Sequence, residues 1–205
     1  MWYRGEDITR RYDAIIPRMY GIGPEDIQHA RNVLQAFEQA GVYTLLSSQA
    51  LDFTYSKSGQ AVELSNRGIP QLPTLTVSSK LPMKEALLEQ IDCFPWLCPE
   101  DKTKILVVVK GIYGGYMGNK VYLMEAQELR RLLAAEDKPD VLLQALNPYR
   151  IDKNAKGESF RVIVVGGEAV AACQFVNKSG FRSNVEKRTT KAIPLTSDFG
   201  RKLKR

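Results

Sequence analysis

The stretch from Arg161 to Asn184, RVIVVGGEAVAACQFVNKSGFRSN, constrains the fold of this chain most tightly. Val162 to Val165 and Ala169 to Cys173 are β-prone runs separated by Gly166-Gly167. A tight hairpin turn demands positive φ, which glycine accepts without steric cost, so these two runs are expected to pair antiparallel. After a short loop through Gly180 come Arg182, Ser183 and Asn184. A guanidinium fork, a hydroxyl and a carboxamide in three successive residues make a compact reader of polyphosphate and ribose. Read alone, the tripeptide is explained more simply as a solvated strand end.

Composition narrows the class of protein. A chain of 205 residues is long enough for one large domain or two small ones, and 44% hydrophobic with 25% charged residues is ordinary for a globular protein. His29 is the single histidine and falls in an expected helix, which argues against a Ser-His-Asp triad or a histidine-built zinc site. Cys93, Cys98 and Cys173 are odd in number, and the first two are too far apart for a CxxC pair, so a reducing compartment is expected. No apolar run is long enough to span a bilayer, and MWYRGEDITRRYD lacks the apolar core of a signal peptide. The expected location is the cytoplasm, without a membrane partner. The net charge is +6, much of it late in the chain at Lys187, Arg188, Lys191 and residues 201–205. These late cations lack interleaved aromatics and any recognised motif, so nucleic acid is not the expected partner.

Local patterning gives an α/β (α+β) chain. Ala14 to Pro17 reads as a short strand, Pro24 to Gly41 as a helix with Ile27, Val33, Leu34 and Phe37 inward, and Val42 to Leu46 as a second strand. That order suggests a right-handed βαβ unit. Ser56 to Asn66 reads as a helix closed by Gly68, and Leu75 to Val77 as a strand. A helix over Lys84 to Gln90 and the proline-broken connector CFPWLCPED lead to the β-prone run Ile105 to Lys110. The glycine- and tyrosine-rich Gly111 to Gly118 and the returning strand Val121 to Met124 complete a hairpin with a flap. Ala126 to Ala135 is an expected helix, Val141 to Leu146 a strand, and Asn147 to Glu158 an exposed loop. Ser197 or Asp198 is placed to cap a helix starting at Phe199.

Several residues are placed to carry chemistry. Lys110 ends an apolar strand just before glycines 114, 115 and 118, where an ammonium and close backbone amides can meet a phosphate. The loop fits neither a Walker nor a dinucleotide-binding pattern, and an ordinary hairpin tip accounts for it as well. Lys57 can bring a second cation from a helix start, although a surface lysine is commoner there. Arg161 can reach a carboxylate or phosphate, or pair structurally with Glu168 or Asp152. Gln144, with the backbone of Ala145 and Leu146, ends a strand where main-chain groups can read a planar base.

Taken in order, these segments resemble the ATP-grasp superfamily, and within it the RimK-like carboxylate–amine ligases. The resemblance runs through Tyr12 to Arg18 (YDAIIPR), Leu34 to Val42 (LQAFEQAGV), Gly68-Ile69-Pro70 with Pro73-Thr74, Val107 to Lys110 with its glycine loop, and FRSN. It implies a partial ATP-grasp fold in which a short pre-grasp βαβ portion is followed by antiparallel hairpins and helices. The implied division is 1–70 pre-grasp portion with linker, 71–140 small subdomain with flap, and 141–205 the start of the large subdomain. It further implies that Lys57, Lys110, Gly114 and Gly115 surround the phosphates of ATP and that Gln144, Ala145 and Leu146 line the adenine pocket. Arg182, Ser183 and Asn184 would meet the phosphate or ribose side, with Arg161 and Arg182 serving the acyl-phosphate and acceptor region. The implied partners are a carboxylate substrate and an amino acid, peptide or protein acceptor.

The sequence also departs from the resembled pattern. Ser159 stands where an aspartate is usual, Gly111 for a proline, Ala145 for a hinge glutamate, and Arg188-Thr189 for paired glycines. Magnesium is implied with ATP, but the acidic residue and the Glu-x-Asn pair that hold it are expected beyond Arg205, so no metal ligand is assigned here. The first part of the pre-grasp domain is likewise expected to be missing. Two readings follow: an ATP-dependent ligase, and a non-catalytic nucleotide-binding or interaction module on the same scaffold. Open strand edges on an incomplete grasp fold would favour homo-oligomers.

Overall fold

The computed structural model describes residues 2–18, 23–78, 106–113, 120–135, 140–146, 152, 154, 156–183 and 187–197. The expected helix over Lys84 to Gln90, the CFPWLCPED connector and the helix start at Phe199 lie outside them. The chain forms two compact units, Met1–Leu146 and Asn147–Arg205.

The first unit opens with a hairpin that the sequence pattern did not disclose. Strands β1 (Trp2–Tyr3) and β2 (Glu6–Asp7) pair antiparallel around Arg4 and Gly5, at φ 51 and φ 83. Two-residue strands are too short to show a period of two, which is why they escape pattern reading. The βαβ expectation holds. β3 (Ala14–Ile15) and β4 (Tyr43–Thr44) pair in parallel, and α1 (Pro24–Gln39) crosses between them. Pro24 opens α1, and the Asp26 carboxylate accepts from the Gly23 amide at 2.9 Å. Gly41, at φ +80, closes it, with Gly41 N donating to Glu38 O and Val42 N to Phe37 O, each at 3.0 Å. Ile27, Leu34 and Phe37 form its buried face, and Leu51 of α2 (Leu51–Tyr55) packs against Ile27 and Leu34. Helix α3 (Lys57–Asn66) follows, with Ser56 as its cap.

The remaining strands of this unit form one antiparallel sheet in the order β5-β8-β6-β7: β5 is Thr74–Val77, β6 Leu106–Gly111, β7 Val121–Glu125 and β8 Val141–Ala145. β8 hydrogen-bonds between β5 and β6, so the sheet runs across the 140/141 division read from sequence. The period of two divides the sheet's residues between its faces. Val77, Val107, Val109, Val141 and Leu143 point to one face, where Leu129 and Leu133 of α4 (Ala126–Ala134) cover them. Leu129 and Leu133 are one helical turn apart and wholly buried, so a single stripe of α4 seals the core. The opposite face carries Thr74, Lys110, Leu142 and Gln144.

The second unit is a three-stranded antiparallel sheet, β11-β10-β9: β9 is Gly157–Val165, β10 Glu168–Asn177 and β11 Thr189–Ala192. Gly166 and Gly167 turn the hairpin at φ +59 and φ +84, as the sequence required. One expectation needs correction, and one element was missed. β9 begins at Gly157, so the loop assigned through Glu158 stops earlier and Arg161 lies mid-strand instead of opening it. The polar beginning GESFR conceals this, because its pairing with Cys173 to Asn177 supplies the order that hydrophobic alternation does not. β11, with all four residues exposed, carries no apolar signal and was not read from the sequence.

Candidate active site

The beginning of α3 is stitched to the end of β6. Lys57 N donates to Ile112 O at 3.0 Å, Lys57 Nζ donates to Gly111 O at 3.1 Å, and Ser56 bridges to Tyr113. The Ser56 hydroxyl accepts from Gly59 N at 3.1 Å and thereby fixes where the helix starts. These contacts bring Lys57 beside Lys110, although more than fifty residues separate them in sequence.

Both lysines open into one cavity of about 220 Å³, whose lining also includes Gln60, Thr74 and Gln144 and, among the described residues, contains no carboxylate. Burial holds the Lys110 ammonium below its ordinary pKa, and the charge of Lys57 lowers it further. Lys57 is lowered for the same reason, by burial first and then by Lys120. Two partly desolvated cations side by side are an unfavourable arrangement that an anion relieves.

The direction of Gln144 is fixed by a chain of hydrogen bonds. The Thr74 hydroxyl donates to Leu72 O at 2.8 Å, so its oxygen is left to accept from Gln144 Nε2 at 3.1 Å. The carboxamide oxygen of Gln144 therefore faces Lys110, whose Nζ donates to it at 2.6 Å. Next along β8, Ala145 is buried and its amide donates to Pro73 O at 3.0 Å. Its side chain points to the sheet face opposite Gln144, while Leu146 follows as a half-buried residue.

In the second unit, the loop between β10 and Arg182 is held by Asn177. The Asn177 side chain is buried, accepts from Ser179 N at 2.9 Å and Ser179 Oγ at 2.8 Å, and donates from Nδ2 to Arg182 O at 2.7 Å. Ser183 Oγ donates to Ser159 Oγ at 2.7 Å. Arg161 does not pair with Asp152, which binds Lys191 at 3.1 Å; its guanidinium lies over the Phe175 ring, 5.1 Å from the centroid. The hydrogen bond from Lys191, together with one from Asn154 N, keeps the Asp152 carboxyl below its ordinary pKa.

Residues 72–198 match the RimK-like ATP-grasp domain family, and residues 1–51 match the RimK PreATP-grasp domain. The chain belongs to the RimK-like ATP-grasp family. A probable alpha-L-glutamate ligase of Cellvibrio japonicus is 27% identical over 206 residues, a match covering 98% of this chain and 61% of that protein. One from Hydrogenovibrio crunogenus is 31% identical over 191 residues, covering 89% of this chain and 55% of that protein. The chain thus spans 55–61% of the length of these curated relatives. Among solved structures, the Bacillus anthracis D-alanine–D-alanine ligase complexed with ATP superposes with a TM-score of 0.62 at 14% identity, covering 96% of this chain and 57% of that one. A D-cycloserine synthetase gives a TM-score of 0.54 at 19% identity, covering 94% and 63%. At these identities the superpositions establish the ATP-grasp fold.

Of the residues singled out from sequence, the RimK-like chain gathers Lys57, Lys110 and Gln144 at one cavity, while Arg161, Arg182 and Ser183 belong to the second unit. Gly114, Gly115 and Asn184 lie outside the described residues. Sequence reading missed Thr74 and Asn177 as site-building residues. Asn177 did leave a signal, an Asn closing an apolar strand before Lys-Ser-Gly, which is the composition of an Asx turn. Among the described residues no three His, Cys, Asp or Glu side chains come together to hold a metal, and no helix is long and apolar enough to cross a membrane.

Proposed function

We propose that this chain serves an ATP-dependent carboxylate–amine ligase reaction. The observation that carries the reading is the pair of partly desolvated lysines, Lys57 and Lys110, in one cavity with no carboxylate among its described lining residues. Such a pair suits the oxygens of a polyphosphate. Family membership and relatives named glutamate ligases point the same way.

In this reading the γ-phosphoryl group of ATP passes to a substrate carboxylate. An amine then attacks the resulting acyl phosphate, expels phosphate and forms an amide. Lys57 and Lys110 neutralise the phosphate oxygens, Gly114 and Gly115 close over them, and Gln144, Ala145 and Leu146 receive the adenine. Arg182, Ser183 and Asn184 contact the phosphate or ribose, and Arg161 with Arg182 stabilises the acyl phosphate and positions the acceptor. Magnesium accompanies ATP in this reading, and the contribution assigned to the described residues is the pair of cations that meet the phosphates. The proposed domains are a pre-grasp portion with linker at 1–70, a small subdomain at 71–140 and the beginning of the large subdomain at 141–205. The proposed setting is cytoplasmic.

The test is phosphate release from ATP and magnesium in the presence of L-glutamate and glutamyl peptides. Release that requires both a carboxylate and an amine, and is lost in Lys110→Ala, is the expected result. ATP binding without release under any pairing of these substrates overturns ligation and leaves a nucleotide-binding module.

A further inference from the structure

The cavity that holds Lys57 and Lys110 also has carboxamides in its wall. Gln60 lies one turn beyond Lys57 on α3, which puts both on the same face of the helix, and Gln71 of the linker lines the cavity as well. Gln60 Nε2 donates to Thr54 O and Gln71 Nε2 donates to Ala61 O, each at 2.7 Å. A carbonyl oxygen only accepts, so these contacts fix which end of each carboxamide is the nitrogen. The oxygen ends are left as acceptors, and neither is taken by a donor among the described residues.

The other polar side chains of the wall sort the same way. Thr74 Oγ1 donates to Leu72 O, and Gln144 Nε2 donates to Thr74 Oγ1. The hydroxyl and carboxamide donors of the described lining are therefore committed to the protein, and the ammonium groups are the side-chain donors that can meet an anion. A ligand suited to this wall carries anionic oxygens for the lysines and hydrogen-bond donors for Gln60 and Gln71.

A nucleotide carries both, its donors being the ribose hydroxyls and the amino group of the base. Two observations favour the sugar. At about 220 Å³ the cavity is smaller than the roughly 300–1,000 Å³ that encloses a whole drug-sized ligand, so it takes part of the molecule. Ala145 and Leu146, to which the ligase reading assigns the base, are not among its described lining residues. The base then lies outside the cavity, and the ribose, which adjoins the phosphates, lies inside.

We propose that Gln60 and Gln71 select a ribonucleotide, their carboxamide oxygens accepting from the ribose hydroxyls while Lys57 and Lys110 hold its phosphates. The proposal rests on the nucleotide-binding part of the ligase reading. It makes the first turn of α3 and the linker before β5 determinants of which nucleotide is used, besides the strand-borne lysine.

Calorimetric affinities of the full chain for ATP, 2′,3′-dideoxy-ATP and inosine triphosphate, each with magnesium, test it. The dideoxy nucleotide should bind about tenfold more weakly than ATP, and inosine triphosphate, which lacks the amino group of the base, within about twofold of ATP. In Gln60→Met, Gln71→Met, with folding checked by the backbone amide spectrum, the preference for ATP over the dideoxy nucleotide should fall to about twofold or less. Should the double variant not fold, each single change is expected to lower that preference by about threefold. Equal affinity of the parent chain for ATP and the dideoxy nucleotide overturns the proposal, as does a preference that survives in the folded variants. Weak binding of inosine triphosphate with no loss for the dideoxy nucleotide also overturns it and assigns the oxygens to the base. If ATP binds without discrimination of the sugar, the glutamine pair falls and the nucleotide reading stands. If ATP does not bind, the nucleotide reading falls and the pair with it. Sugar discrimination without phosphate release under any substrate pairing supports the pair and removes ligation.

Discussion

At the scale of single residues, the orientation of Lys110 depends on a hydroxyl that makes no contact with it. Thr74 spends its one proton on Leu72 O and so fixes which end of the Gln144 carboxamide faces the lysine. Thr74→Val keeps the shape and removes the relay, and should weaken ATP binding by roughly fivefold, the equivalent of about 1 kcal/mol, with an unchanged circular dichroism spectrum. Unchanged affinity in calorimetry would rule the relay out. The lysines also make binding depend on pH. Because burial lowers the folded-state pKa of Lys110 and Lys57 from 10.5, each loses its charge earlier in the folded chain than in the unfolded one. Anion affinity should therefore fall as pH rises through the lowered values. Folding stability should rise between those values and 10.5, since there the unfolded state binds more protons. The lysines themselves were legible as strand-end and helix-start cations. Their juxtaposition was expected from the family resemblance and not from any local pattern, because it depends on hydrogen bonds between Lys57 and the distant Gly111 and Ile112.

Among the elements, the approach of β9 to the Arg182 loop is controlled by a residue without a side chain. A Cβ on Gly157 would sit 2.4 Å from Phe181 O, a contact with backbone that no rotamer change relieves. Gly157→Ala should cost about 1–3 kcal/mol in urea unfolding, with neutrality counting against so tight an approach. In the first unit, Glu38 of α1 ties the βαβ portion together by accepting from Thr44 Oγ1 at 3.0 Å, Ser48 N at 2.8 Å and Ser48 Oγ at 2.6 Å. The Ser48 hydroxyl and then its amide hold the Glu38 carboxyl below its ordinary pKa, so this contribution is present above 4.5 and is lost as pH falls through the folded value. Glu38→Gln should destabilise by about 1 kcal/mol near neutral pH, a figure that allows for solvent screening, and the gap from the parent should close in acid. A gap that persists in acid would assign the effect to packing. The elements best legible in sequence were those with a strong period or a glycine stop, such as α1 and the Gly166-Gly167 turn. β11 and the beginning of β9 owe their existence to pairing with β10, which no local pattern announces.

For the molecule as a whole, the resemblance read from YDAIIPR, the Gly68 to Thr74 linker, the Val107 to Lys110 strand and FRSN led to the family that residues 72–198 match. It did so because those segments carry backbone requirements and charges in a fixed order, which survive when surface residues change. The same order underlies the central claim that Lys57 and Lys110 act together on a nucleotide. The most direct test is the calorimetric affinity of the full chain for ATP, compared with that of a Lys57→Ala, Lys110→Ala double variant that remains folded. The expected result is measurable binding by the parent chain and a loss of about a hundredfold or more in the variant, with each single change costing at least about tenfold. Equal affinity of the parent and the double variant would contradict the account.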